Sequence, residues 1–307
     1  MSAIRHVLDV DDLSAAELAE VLSRAQVADP DRVLEGRGVA LYFQKPSART
    51  RHSTEMAVVQ LAGHPVSVAD HEVGIDTRES AEDVARVLGC YHAIIGARVF
   101  DHASLERMAA VSTVPVVNLL SDRAHPLQAI GDLLTVQQVC GTLSGRTVAY
   151  VGDANNVASS LALAAGSAGM AFRIASPAGY GFDDVHLARL RAAGADVTCL
   201  DDPIAAVRGA DAVYTDVWTS MGQEAEAAQR LRDFAGFTVT PELMDVAAPH
   251  AVFLHCLPAR RGEEVAAAVI DGPRSRVWQQ AANRMHAARA LFWWLMDPIP
   301  GLVRATE

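Results

Sequence analysis

Residues 39–51 read VALYFQKPSARTR, and this stretch decides the fold class. Its first five residues, Val39 to Phe43, form an apolar run of the length of one buried strand, too short for an ordinary helix. The polar cluster that follows leads into a helical pattern that extends to about Leu61. A buried strand, a polar turn and a helix in this order are typical of the beginning of a βαβ unit.

The same succession recurs along the chain. Further strands are predicted at Pro65–Val68, Ala93–Ala97, Val114–Leu119, Val148–Val151, Phe172–Ala175, Val197–Leu200, Ala212–Thr215 and Ala251–Leu254. Helices are predicted after the capping box Ser14–Glu17, at about Glu79–Leu88, Ser104–Ala110 and Gln279–Met296, and from Pro126, Pro203 and Pro241. Strands that alternate with helices favour an α/β fold with parallel sheets.

The length of 307 residues favours two domains. A break at Gly141–Gly145 separates two α/β patterns, so we expect two doubly wound parallel-sheet domains joined by interdomain helices. The first would comprise residues 1–140, completed by the C-terminal helix at about 285–307, and the second residues 141–284. Because ligands of open parallel sheets bind outside the carboxyl ends of the strands, we expect an active site in the cleft between the domains.

Composition excludes several classes of protein. Hydrophobic residues make up 50% of the chain and charged residues 21%, which is too apolar for disorder. The net charge of −11 argues against nucleic-acid binding. No apolar run approaches the ~20 residues of a membrane helix, and the four cysteines are too far apart for a disulfide framework or a zinc site. We therefore expect a cytoplasmic protein with neither nucleic acid nor a membrane as partner.

Polar residues follow the first strands of the chain. Residues 47–51 stand at a helix N-terminus, where backbone N–H groups and two arginines favour a phosphate, although a capped helix with solvated arginines explains them equally well. Arg98 follows the third strand, where a surface charge is the simpler interpretation. His125 opens a helix, either as its cap or as a neutral imidazole able to polarise a carbonyl oxygen.

Polar residues also follow the strands of the second half. Asn155 and Asn156 either bind a polar ligand or form an Asx turn. Asp216 stands directly at a strand end, where a carboxylate suits an ammonium group. Cys256, after an apolar strand, is either core filler or a site residue. Together these positions indicate one substrate that carries a phosphate and another that carries a cation.

Five motifs resemble those of the aspartate/ornithine carbamoyltransferase family, from Leu41 to Leu295. They are Ser47-Ala48-Arg49-Thr50-Arg51, similar to the family's Ser-Thr-Arg-Thr-Arg, then His125-Pro126-Leu127-Gln128, DVWTSMGQE at 216–224, His255-Cys256-Leu257-Pro258 and Asn283-Arg284-Met285-His286. The third and fourth are typical of ornithine-specific members, since aspartate-specific members lack both. The resemblance implies carbamoyl transfer from carbamoyl phosphate to the side-chain amine of L-ornithine, giving L-citrulline and phosphate.

The resemblance also implies roles for individual residues. The carbamoyl-phosphate site it implies consists of Ser47, Ala48, Arg49, Thr50, Arg98, His125, Gln128, Cys256, Leu257 and Arg284. The ornithine site it implies consists of Asn156, Asp216, Ser220 and Met221. The catalytic residues it implies are Arg98, His125, Asp216 and Cys256. It further implies no metal or organic cofactor and a homotrimer or an assembly of trimers.

Some positions depart from the family pattern. Gln44 replaces an acidic residue, Ala48 replaces a threonine, and His52 stands where an apolar or aromatic residue is usual. The stretch from His71 to Arg78 lacks a glutamine that relatives carry there. These departures leave two alternatives open: a paralogous carbamoyltransferase acting on lysine or an ornithine derivative, and a non-catalytic binding protein of the same fold.

Overall fold

The computed structural model describes residues 4–219 and 224–297. After a short 3₁₀ turn at Val10–Asp12, the first elements are α1 (Ala15–Ala25), β1 (Gly38–Phe43), α2 (Ala48–Gln60), β2 (His64–Ala69), α3 (Asp70–Val73), α4 (Ala81–Tyr91), β3 (His92–Arg98), α5 (His102–Val111) and β4 (Val116–Leu120). They alternate as the sequence predicts.

The rest of the chain continues the alternation. Its elements are α6 (Pro126–Cys140), β5 (Thr147–Val151), α7 (Asn156–Ser167), β6 (Ala171–Ala175), α8 (Asp184–Ala192), β7 (Asp196–Leu200), α9 (Pro203–Val207), β8 (Ala212–Thr215), a 3₁₀ turn at Glu224–Glu226, α10 (Ala227–Asp233), α11 (Pro241–Val246), β9 (Val252–His255), α12 (Ala267–Ile270) and α13 (Val277–Met296). The nine predicted strands are confirmed, with ends shifted by two residues at most.

Two parallel sheets organise these elements. The first has the strand order β2-β1-β3-β4 and the second the order β7-β6-β5-β8-β9. In the first, β1 lies between β2 and β3, and the register pairs Phe43 with Arg98. In the second, β8 pairs with β5 and β9, and the register places Thr215 opposite His255. The predicted fold class, α/β with two parallel sheets, is confirmed.

The chain divides into two compact units. Of the described residues, the first unit contains 4–8, 19–122 and 285–297, and the second contains 9–18 and 123–284. This division differs from the sequence-based boundary at residue 140, because α6 packs against α7 and so belongs with the second unit. The core of the first unit forms around β1 and β3, and that of the second around β5, β8 and β9.

Local signals explain where the predicted helices begin. The Ser14 N–H donates to Glu17 Oε2 at 2.9 Å, and the Glu17 N–H donates to Ser14 Oγ at 3.4 Å. These two bonds form the predicted capping box. The helices α9 and α11 begin at a proline after Asp202 and Thr240, whose side chains cap them. In the described part of the chain, no helix combines the length and the apolar character needed to cross a membrane.

A close approach in the second unit requires a glycine. A Cβ added to Gly166 in α7 would lie 2.6 Å from Ala195 Cα, which is backbone and has no room to yield. A Cβ added to Gly131 in α6 would approach no atom outside its own helix more closely than 3.4 Å. The two glycines therefore differ in their tolerance of a methyl group.

We expect Gly166→Ala to lower the free energy of unfolding by roughly 1–3 kcal/mol, because overpacking outweighs the gain in helix propensity. Gly131→Ala should be neutral or stabilising by up to about 1 kcal/mol. Urea-induced unfolding of the two variants and the parent measures the difference. Equal shifts in the two variants would show that α7 does not lie as close to Ala195 as described.

Candidate active site

In the first unit, predicted residues meet where α2 begins. Ser47 caps the helix: its Oγ accepts from the Thr50 N–H at 3.3 Å and donates to Thr50 Oγ1 at 3.1 Å. Because β1 and β3 are neighbours, Arg98 reaches the same hydroxyl, with its Nη1 3.2 Å from Thr50 Oγ1. Ala48 and Arg49 are exposed in the first turn. A buried guanidinium beside an exposed helix N-terminus is suited to an oxyanion.

Gln44 and His52, two residues that depart from the family pattern, lie near this group. Gln44 Oε1 accepts the Phe100 N–H at 2.8 Å, and the Gln44 N–H donates to the Arg98 carbonyl at 2.8 Å. Gln44 therefore ties the turn after β1 to the end of β3, a structural role that an amide fills without adding charge. Lys45 Nζ lies 3.9 Å from the centre of the Phe100 ring. His52 is exposed on α2.

In the second unit, Asp216 and Cys256 follow the paired strand ends of β8 and β9. Asp216 Oδ1 accepts from the Cys256 thiol at 2.9 Å and from the Val217 N–H at 2.8 Å. Its Oδ2 accepts from Asn155 Nδ2 at 3.0 Å. Burial and the neighbouring carboxylate raise the pKa of Cys256 well above its usual value, so this residue is a thiol that donates to Asp216.

The turn after β9 is fixed by the buried pair His255 and Glu264. The Leu257 N–H donates to His255 Nδ1 at 2.8 Å, which places the ring proton on Nε2. This Nε2 lies 3.1 Å from Glu264 Oε1 and donates to it. Leu257 adopts φ +62, a value that a β-carbon disfavours, and its bond to His255 holds it there.

A buried carboxylate in α6 joins two glutamines. Asp132 Oδ1 accepts from Gln128 Nε2 at 2.7 Å and from Gln280 Nε2 at 2.6 Å. Gln280 Oε1 accepts the His255 N–H at 2.8 Å, so α13 is linked to the end of β9. Burial raises the pKa of Asp132 to about 7, although hydrogen bonds from the glutamines and Tyr214 and the charge of Arg284 oppose the shift.

His125 precedes the first residue of α6 and is buried. Its N–H donates to Ser160 Oγ at 2.9 Å, and the Ser160 hydroxyl donates to Asp9 Oδ1 at 2.8 Å. Arg189 Nη2 is 2.6 Å from Asp9 Oδ2 and completes a partly buried ion pair. The backbone of His125 is therefore held by a series of contacts that runs through α7, the segment before α1 and α8.

The other residues predicted for the site are Arg284, Asn156, Ser220 and Met221. Arg284 is buried in α13, and its charge opposes the rise in pKa that burial causes at Cys256 and at Asp132. Asn156 is the first residue of α7 and is half-buried. Ser220 and Met221 lie outside the described residues.

Sequence reasoning missed four residues that hold these groups in place: Asn155 as a contact of Asp216, and Asp132, Gln280 and Ser160 entirely. Asn155 caps α7 through its Oδ1, which accepts from the Val157 N–H and the Ala158 N–H, and the cap preference of asparagine could have indicated it. Asp132 carried a signal as well, because an ionisable residue within the apolar pattern of α6 is seldom buried without partners.

Three potential metal ligands lie together: atoms of Asp216, His255 and Cys256 are all within 4.8 Å of one another. Both ring nitrogens of His255 are engaged, one by the Leu257 N–H and the other by Glu264. The Cys256 thiol is engaged by Asp216. Hydrogen bonds within the chain therefore account for this cluster.

Comparisons with known proteins agree with these motifs. A family model for the carbamoyl-P binding domain of aspartate/ornithine carbamoyltransferase matches residues 5–138, and one for its Asp/Orn binding domain matches residues 144–295. An ornithine carbamoyltransferase of Acidothermus cellulolyticus is 48% identical over 307 residues, covering 97% of this chain and 98% of that protein. One from Thermus thermophilus is 51% identical over 280 residues and covers 91% of both.

A solved structure is similar over the same span. The ornithine carbamoyltransferase from Pyrococcus furiosus has a TM-score of 0.89 and 44% identity, covering 94% of this chain and 96% of that one. The chain belongs to the aspartate/ornithine carbamoyltransferase family.

The raised pKa of Asp132 predicts a pH effect on stability. The folded state holds this proton more tightly than the unfolded state, so the free energy of unfolding should fall as pH rises from about 4 to about 7. Asp132→Asn removes this dependence. From pH 5 to pH 8 the variant should therefore gain about 2–3 kcal/mol relative to the parent.

Urea-induced unfolding at several pH values measures this gain. Asp196→Asn, at an exposed position of β7, is the control for the loss of a carboxylate. A difference between Asp132→Asn and the parent that stays constant with pH would contradict a raised pKa at Asp132.

Proposed function

We propose that this chain transfers the carbamoyl group of carbamoyl phosphate to the side-chain amine of L-ornithine, giving L-citrulline and phosphate. The observation that carries the proposal is the Asp216 carboxylate, held by Cys256, Asn155 and its own strand end in the second unit. Family membership and relatives named ornithine carbamoyltransferase, at 48% and 51% identity over most of the chain, support it. A carboxylate so placed suits the ammonium group of the acceptor.

The phosphate is held by the first unit in this proposal. Ser47, Ala48, Arg49 and Thr50 at the start of α2 hold its oxygens, through N–H groups of the first turn and the Ser47 hydroxyl. Ala48 takes part through its backbone, so the missing threonine hydroxyl removes one donor and leaves the helix N-terminus intact. Arg284 contributes a further positive charge toward carbamoyl phosphate.

The carbonyl oxygen of carbamoyl phosphate gains negative charge when the amine attacks. Arg98, His125 and Thr50 are the proposed donors to that oxygen. Preorganised donors of this kind typically stabilise the transition state by ~3 kcal/mol each. The bond between Arg98 and Thr50 fixes two of these groups before substrate arrives.

The carbamoyl NH₂ group is oriented by acceptors from the second unit. Gln128 Oε1 and the Leu257 carbonyl are the proposed acceptors, with the Cys256 thiol beside them. Both chain segments are held by hydrogen bonds of their own, Gln128 to Asp132 and Leu257 to His255.

Ornithine is bound through Asp216, Asn156, Ser220 and Met221. Its side-chain amine is an ammonium at neutral pH, with a reference pKa of about 10.4 borrowed from lysine, and only the neutral form attacks. Because Cys256 is already protonated, Asp216 is the group placed to take the first proton. The second amine proton leaves with the phosphate, which departs as hydrogen phosphate while the C–N bond forms and the C–O bond breaks.

We further propose a homotrimer or an assembly of trimers, in the cytoplasm. The family resemblance supports the trimer. The four cysteines, all free, suit a reducing compartment.

A panel of amines tests the function directly. Purified protein with carbamoyl phosphate should form a ureido product with L-ornithine at least about a hundredfold faster than with L-lysine, putrescine or N-acetylornithine, because these miss either the amine position or the α-amino acid group. Colorimetric detection of the ureido group measures each rate. Faster reaction with another amine would identify a paralogous carbamoyltransferase, and no product with any amine would identify a binding protein.

His125→Ala should lower turnover of ornithine roughly 10²–10³-fold, as the loss of one oxyanion donor does. The backbone N–H that binds Ser160 is retained, so the fold should persist. Steady-state citrulline formation measures the loss, with His186→Ala, at an exposed position of α8, as the matched control. Parental turnover in a folded His125→Ala protein would remove His125 from the catalytic set.

A further inference from the structure

One buried amide has a fixed direction. Gln128 is 1% exposed, and its Nε2 donates to Asp132 Oδ1 at 2.7 Å. Within residues 4–219 and 224–297, Gln128 Oε1 is buried and accepts no hydrogen bond. A buried acceptor left unsatisfied costs free energy, which a ligand with an N–H donor would recover.

A second amide depends on the same oxygen. Gln280 Nε2 donates to Asp132 Oδ1 at 2.6 Å, and this leaves Gln280 Oε1 to accept the His255 N–H at 2.8 Å. The ring of His255 in turn accepts the Leu257 N–H. Asp132 Oδ1 therefore accepts from both amides, and Gln280 Nε2 also donates to Tyr214 Oη at 3.2 Å. Through Gln280 and His255, the same carboxylate oxygen is linked to the peptide of Leu257.

We propose that Asp132 is a positioning residue that makes the donor site selective for a carbamoyl group over an acyl group. By accepting from Gln128 and Gln280, it keeps Gln128 Oε1 and the Leu257 carbonyl available as acceptors for an NH₂ group. This inference rests on the proposed function, in which those two acceptors bind the carbamoyl nitrogen.

The selectivity follows from the hydrogen-bond donors that each phosphate compound carries. The carbamoyl NH₂ has N–H donors and needs acceptors, whereas a flipped Gln128 amide would present a second NH₂ group to it. An acyl phosphate with a methyl group at that place would leave buried acceptors unpaired, and sites of this kind reject such analogues strongly. Without Asp132, the Gln128 NH₂ group would lose the acceptor that fixes its direction, and either end of the amide could face the substrate.

Acetyl phosphate is the matched probe, since it keeps the phosphate and the carbonyl and replaces NH₂ by methyl. Asp132→Leu should raise the KM of carbamoyl phosphate on the order of 10- to 100-fold, the effect of one or two lost hydrogen bonds. The inhibition constant of acetyl phosphate should change less than about threefold, because it uses neither acceptor. Asp132→Asn should restore selectivity, because its single carbonyl oxygen can accept from both amides.

Two results would overturn the inference. Equal weakening of carbamoyl phosphate and acetyl phosphate in Asp132→Leu would show a merely structural role, and so would an Asp132→Asn protein as unselective as the leucine variant. If Asp132→Leu does not fold, Gln280→Met is the second variant: it removes the bonds of Gln280 to Asp132, Tyr214 and His255 and leaves the bond between Gln128 and Asp132 in place. It should lower selectivity in the same direction, and unchanged selectivity there would equally contradict the proposal.

Calorimetric binding of both phosphates separates this inference from the proposed function. Binding needs no acceptor amine, so parental selectivity for carbamoyl phosphate that Asp132→Leu abolishes would support the role of Asp132 whatever the acceptor is. A parent that forms citrulline while Asp132→Leu keeps full selectivity would leave the function standing and refute the positioning role alone.

Discussion

In each of the two sheets, the connections of one pair of neighbouring strands run in opposite directions along the sheet. The position of this pair determines where polar groups from the strand ends can meet. In the first sheet this pair is β1 and β3, and in the second it is β5 and β8. Connections that diverge leave the carboxyl ends of those strands uncovered, and side chains from both can meet there. Thr50 and Arg98 meet at the first such place, and Asn155 and Asp216 at the second. Strand order therefore brings together residues that are far apart in the sequence.

Buried polar groups at these positions are stable only when their partners are complete. Asp216 satisfies this condition, because three donors surround its two oxygens. Asp132 satisfies this condition only in part. Its Oδ1 accepts from two amides, but burial still raises the pKa of the carboxyl to about 7. Ionised Asp132 is therefore costly at neutral pH, and the bonds that it accepts fix the direction of the Gln128 amide and help to fix that of Gln280. Such a cost is typical of a group retained for function.

The sequence predicted the strands and the residues that follow them, because short apolar runs between polar clusters have few other interpretations. Asp216 and Cys256 were each placed at a strand end, and the pairing of β8 with β9 in the structure brings the two together. Asp132 and Gln280 could not be placed in this way, since they lie on helices whose bond to each other joins positions 148 residues apart. The pattern of α6 gave no direction either, because residues 126–136 are all buried. The boundary at residue 140 stays a prediction: the compact units divide before α6, and an apolar helix pattern does not say which sheet the helix packs beside.

The departures from the family pattern fall unevenly over the chain, and this distribution bears on the choice of substrate. Gln44, Ala48 and His52 all lie in the first unit, near the group proposed to hold phosphate. Gln44 has a structural explanation in its bonds to Phe100 and Arg98, and Ala48 retains the backbone N–H that a helix N-terminus offers an anion. In the second unit, Asp216 keeps a full set of donors. In the proposed function, changes in the first unit alter how tightly the phosphate of carbamoyl phosphate is held, whereas the groups around Asp216 select the amine. The departures therefore favour an unchanged acceptor over a new one.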